Sequence, residues 1–133
     1  MNNISSTNIV TINRGDDFSF KYKINLGDEL NPKYYILTDS DRVYLGVTEP
    51  GQAFEDAIIR QVYFKTDMVD NDLIISFKSL DTEYLMPGKY YYSIKLCRNK
   101  GTESEQITTL INKKLFWILG DAPQVNENVQ NKL

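Results

Sequence analysis

The segment "DFSFKYKIN", Asp17 to Asn25, alternates without a break. Phe18, Phe20, Tyr22 and Ile24 fall on one side of an extended chain, and Ser19, Lys21 and Lys23 on the other. A helix, turning about 100° per residue, would scatter these apolar side chains around its axis. A strand collects them, and then presents one buried face and one solvated face. The same phase returns along the chain. In "NIVTIN" (Asn8 to Asn13), Val10 and Ile12 oppose Ile9 and Thr11. In "DRVYLGVTE", Val43, Leu45 and Val47 share a side, and in "GKYYYSIKLCR" Tyr90, Tyr92, Ile94 and Leu96 do. "AIIRQVYFK" and "LIISFK" are short β-branched runs, and "SEQITTLINKKLFWIL" reads as a last long strand, bent near Asn112.

Turn chemistry separates these runs. "RGDD", "EPGQAF" and "NKGTE" each carry a glycine suited to positive φ. "LGDELNPKYY" is a polar connection, and "TDMVDND" reads as a polar turn. Ser79 or Asp81 is placed to cap a short helical turn that ends before Pro87. The total is about seven or eight short strands with turn signals every ~8–15 residues, the pattern of an all-β sandwich or barrel.

Length and charge narrow the function classes. A chain of 133 residues is one domain and buries enough surface to fold without a metal or a disulfide. Cys97 is the only cysteine. With a net charge of −3 and no basic run, nucleic acid is not an expected partner. The longest apolar run, "LFWIL", is too short to span a bilayer, so no membrane role is expected. The N-terminal stretch lacks the charged and apolar regions of a secretion signal.

The absence of histidine removes the commonest general base near neutral pH and the commonest metal ligand. No glycine-rich phosphate loop is present, and nothing singles out a carboxylate pair or an activated nucleophile. No enzyme activity, cofactor or metal site is therefore expected. Asp16/Asp17, Asp39/Asp41 and Asp67/Asp70/Asp72 read as turn residues bonding their own backbone. A calcium site between loops or subunits stays open as the alternative. The tripeptide Arg14-Gly15-Asp16 reads as the turn into a strand.

Four tyrosines fall within "SLDTEYLMPGKYYYSIKL". Period two sends Tyr90 and Tyr92 to the core and Tyr91 outward with Lys89, Ser93 and Lys95. A buried phenol needs a hydrogen-bond partner. The order of strand, "DTEYL", "MPG" and strand fits a crossing between two sheets, with a tyrosine hydroxyl anchored on nearby backbone.

The series "GDDFSF", "LTDSDRVYLGV", "LIISF", "DTEYLMPGKYYYSIKL" and "FWILGD" resembles small immunoglobulin-like domains of tailed-phage virion proteins from low-GC Gram-positive hosts. These include capsid-decoration and head-fibre modules and the N-terminal domains of baseplate upper proteins. The resemblance runs from about Arg14 to Asp121, and its most specific part is Asp81, Thr82, Leu85, Pro87, Gly88, Tyr90 and Tyr92. It implies an immunoglobulin-like antiparallel β-sandwich in residues 14–120, preceded by an arm or strand (1–13) and followed by an exposed tail (121–133). It also implies a virion location, a capsid or other virion protein as partner, and a homo-oligomer. Members that attach fibres continue into a stalk or receptor-binding domain, whereas this sequence carries 13 residues after Gly120.

Residues expected at an interaction surface are Tyr34, Tyr35, Tyr91, Phe116, Trp117 and Ile118. The last three give one strand an apolar character on both faces, which fits either contact with a neighbour or a strand between two layers. Tyr34 and Tyr35, beside Pro32, suit either a sugar-stacking platform or packing on the sandwich edge. The polar termini, residues 1–8 and 121–133, are expected to order on binding. The function expected first is an accessory virion protein on the capsid surface. A baseplate attachment module and a carbohydrate-binding module are the alternatives.

Overall fold

The computed structural model describes residues 2–120. Met1 and the expected tail, residues 121–133, lie outside the described residues. Within them the chain forms nine strands, one short α-helix and two single-turn 3-10 helices, Phe54–Asp56 and Lys65–Asp67. The strands are β1 (Asn3–Ile4), β2 (Val10–Asn13), β3 (Phe18–Tyr22), β4 (Arg42–Thr48), β5 (Ile59–Tyr63), β6 (Met68–Val69), β7 (Asp72–Phe77), β8 (Gly88–Arg98) and β9 (Gln106–Leu119), and the helix is α1 (Ser79–Thr82).

The larger sheet has the order β1-β2-β9-β8-β4-β5 and the smaller β3-β7-β6. Strands β9, β8, β4 and β5 take the G, F, C and C′ positions of an immunoglobulin-like sandwich, and β3, β7 and β6 take B, E and D. One pair departs from the antiparallel rule: β2 runs parallel to β9, with Val10 opposite Phe116 and Asn13 opposite Leu119.

The alternation read from the sequence sets the core. Val10, Ile12, Val43, Val47, Ile94, Leu96, Phe116 and Ile118 from the larger sheet are inaccessible to solvent, as are Leu73 and Ile75 from the smaller. Phe77 and Phe116 meet edge to face across the layers, with ring centroids 5.0 Å apart, and Tyr92 meets Phe116 at 6.2 Å. Each such fully buried side chain stabilises the fold by about 1.5–3 kcal/mol relative to exposure.

Two local features differ from the sequence reading, and a third settles an alternative it left open. "TDMVDND" is more than a turn: Met68–Val69 pair with β7 through a two-residue hairpin turn whose central residues, Asp70 and Asn71, have φ of 51° and 68°. Residues 2–8 are already folded back, correcting the expectation that they order on binding. β1 pairs with β2, and the Asn2 side chain accepts from Asn13 N at 2.7 Å and donates to Asp16 at 3.1 Å. Asp81, not Ser79, caps α1, its carboxylate accepting from Lys78 N at 2.7 Å. A second carboxylate, Asp17, takes Ser79 N at 2.7 Å. These acceptors satisfy backbone donors that the start of a helix leaves free.

The expected bend in β9 is a bulge. Ser93 lies between the pairs Tyr92–Lys114 and Ile94–Ile111, so it faces Asn112 and Lys113 together, and Lys113 has φ of 51°. Lys113 N donates to Ser93 Oγ at 3.0 Å, which gives the displaced amide a partner.

Candidate functional site

The crossing residues Asp81, Thr82, Leu85, Pro87, Gly88, Tyr90 and Tyr92 form one anchored corner. Thr82 is wholly buried, and its hydroxyl accepts from Gly15 N at 2.8 Å, tying the crossing to the β2–β3 turn. Leu85 packs partly buried against the core. Tyr90 donates from Oη to the Met86 carbonyl at 2.6 Å, the hydroxyl-to-backbone anchor expected of a tyrosine at this corner. Tyr92 donates to the Asn8 carbonyl at 2.5 Å, so its phenol holds the β1–β2 turn.

The residues expected at an interaction surface divide. Phe116 and Ile118 are fully buried on the core side of β9, which removes both from that surface. Trp117, the residue between them, is 41% exposed, with Lys89 Nζ 5.6 Å from its ring centroid. Tyr35 is also withdrawn: its hydroxyl donates to Asp41 at 2.6 Å. Tyr34 is 63% exposed beside Lys23, whose Nζ is 5.6 Å from the ring centroid and 2.7 Å from Asp72. Tyr34 and Tyr35 thus form no shared platform. Tyr91 is half-buried on the outer side of β8.

Asp41, expected as a turn residue bonding its own backbone, does so at Thr38 and also reaches further. It is buried, and it accepts from Tyr35 Oη, from Thr38 N at 2.8 Å and from Asn99 N at 3.0 Å. It thereby joins the β3–β4 loop to the β8–β9 hairpin. Burial alone would raise its pKa, but the bonds from Thr38, Tyr35 and Asn99 outweigh that and hold it below the usual value. Burial, with Asp41 close by, pushes the Tyr35 phenol up to about 12. Among the described residues, no cluster of three or more His, Cys, Asp or Glu is placed to hold a metal ion. None of the described helices is long and apolar enough to cross a membrane. Cys97 is a buried free thiol.

Strand register identifies the outer face of the larger sheet. Val43, Leu45 and Val47 point inward, so Tyr44 and Gly46 point outward. Lys95 and Val62 stand opposite Tyr44, and Ser93 and Arg60 opposite Gly46. Tyr91 stands opposite Leu115, and Lys89 opposite Trp117. Gly46 leaves room for Phe54: a Cβ at this position would lie 2.9 Å from the Phe54 ring, over which Lys95 Nζ sits 4.6 Å from the centroid.

The face has one charge sign among its strand residues. The strands of the larger sheet carry Arg42, Arg60, Lys89, Lys95, Arg98, Lys113 and Lys114, and no Asp or Glu. Among the described residues the carboxylates lie in the connections, apart from Asp72 in β7 and Asp81 in α1. Aromatic side chains under cations suit a protein contact, because they supply area at little entropic cost while the cations confer selectivity. No family model matches the chain, and no curated protein or solved structure is significantly similar to it.

Proposed function

We propose that the protein is an accessory structural component of a bacteriophage virion, seated on the capsid surface as a decoration protein or head-fibre base. It acts by burying surface, not by chemistry. The observation that carries this reading is the exposed face built by Tyr91, Trp117, Lys89 and Lys95 on an immunoglobulin-like sandwich. The resemblance between Arg14 and Asp121 supplies the virion setting. Rigid support of the face by the anchored corner suits a lattice-binding role, in which pre-organisation limits the entropy lost on docking. Self-association would add avidity on a repeating lattice.

Cryo-EM of purified particles carrying a tagged copy of the chain tests the proposal. Regular extra density over the capsid supports it. Density confined to the tail tip moves the protein to the baseplate, and particles that lack the chain defeat the virion reading.

A further inference from the structure

The segment joining β7 to β8 exposes large apolar side chains on a fixed backbone. Leu80 is 70% exposed, Tyr84 82% and Met86 77%. Beneath them Thr82 is buried, and Tyr90 pins the Met86 carbonyl. These side chains are therefore presented from an anchored corner. Glu83 lies among them. The next element has the opposite charge: β8 opens with Lys89, paired with Trp117.

We propose that two copies of the chain form a two-fold dimer, in which residues 80–86 of each copy dock on the Lys89, Tyr91 and Trp117 surface of the other. Charge favours this arrangement over the simplest alternative. Two sheet faces pressed directly together would set cations against cations, whereas crossing against face sets Glu83 against Lys89. Tyr84 and Met86 supply apolar anchors on one side, and Trp117 an aromatic one on the other. The two surfaces adjoin along the chain, so a two-fold axis satisfies both at once and closes the assembly at two copies. The inference rests on the self-association in the function proposed above and specifies its geometry.

The test uses the whole chain in solution. Sedimentation velocity across a concentration series at low salt is expected to show a monomer–dimer equilibrium that weakens as salt rises. Trp117 is the sole tryptophan, so its emission reports on the interface directly. Dilution is expected to shift that emission to longer wavelength as the dimer separates. K89E and E83K are each expected to weaken the dimer about tenfold or more, and a mixture of the two to restore association. Tyr84→Ser with Met86→Ser alters only exposed side chains and is expected to weaken the dimer comparably, with an unchanged circular dichroism spectrum.

A chain that stays monomeric with constant tryptophan emission overturns the proposal. So does a dimer indifferent to the charge reversals and the crossing substitutions. Particles lacking the chain would defeat the virion reading and leave a charge-swapped dimer intact. A monomer found on particles would do the reverse.

Discussion

Tyr90, Tyr91 and Tyr92 share a side chain but not a role. Tyr90 is 8% exposed and closes a hydrogen bond four residues back, to Met86. Tyr92 is 1% exposed and reaches Asn8, at the entry to β2 in the same sheet. Tyr91 is half-buried on the outer face opposite Leu115. Removing a hydroxyl that bonds a carbonyl costs the net value of that bond and leaves an acceptor without its partner. Tyr90→Phe and Tyr92→Phe are therefore each expected to lower stability by about 1 kcal/mol in urea titrations, with an unchanged slope. Tyr91→Phe is expected to stay within about 0.5 kcal/mol. Equal losses at all three positions would contradict the facing assigned to them.

At the scale of the strand, period two was legible wherever one face is solvated. The inward sets Phe20 and Ile24, Val43 to Val47, and Tyr90 to Leu96 all follow from it. It could not decide β9, where Phe116, Trp117 and Ile118 are all apolar. Alternation separates two faces but does not say which one another layer covers. β6 was illegible for a different reason. Two residues carry no period, and "VDND" signals a turn as strongly as it signals the hairpin it closes. Asp41 was legible as a turn residue bonding the backbone at Thr38, but not as the link between Tyr35 and Asn99, because those partners come from two loops, which no local spacing reports.

The β9 bulge yields a prediction that runs against strand propensity. Lys113 is exposed in the middle of a long strand, a position where valine is normally the better residue. Its φ of 51° reverses that preference, because branching at Cβ disfavours the left-handed region. Lys113→Val is expected to destabilise the protein by about 1–2 kcal/mol, and Lys113→Gly to cost less or nothing. Thermal melts of the two variants measure this directly. A valine variant at least as stable as the parent would mean that the bulge is absent in solution.

At the scale of the molecule, neighbours matter more than faces. The pattern of Val10 and Ile12 assigned an inward side to β2, but nothing in it chose β9 as a parallel partner. That pairing places Asn8 within reach of Tyr92, so the first and last strands and the tyrosine corner form one connected unit. Such a unit, with loops joined through Asp41, has a stability limit at each end of the pH scale. On the acid side, the Asp41 pKa is depressed in the folded state. Its contribution is fully present above the unfolded carboxyl value of about 4, and is lost as pH falls through the lower folded value. On the alkaline side, burial raises Tyr22, Tyr35 and Tyr63 to about 12 and raises Tyr92 as well. Folded protein then holds protons that the unfolded chain releases near pH 10, so stability falls from about pH 10 upward. Tyrosinate absorbance followed together with circular dichroism is expected to show these phenols ionising late and cooperatively, as the sheets are lost. Asp41→Asn is expected to flatten the acid limb and to soften the alkaline one only by the share of Tyr35, whose phenol Asp41 helps to raise, leaving the shares of Tyr22, Tyr63 and Tyr92 in place. Ionisation of all nine tyrosines in one phase near pH 10, with the sheets intact, would mean that the phenols are not held by the bonds and burial described here.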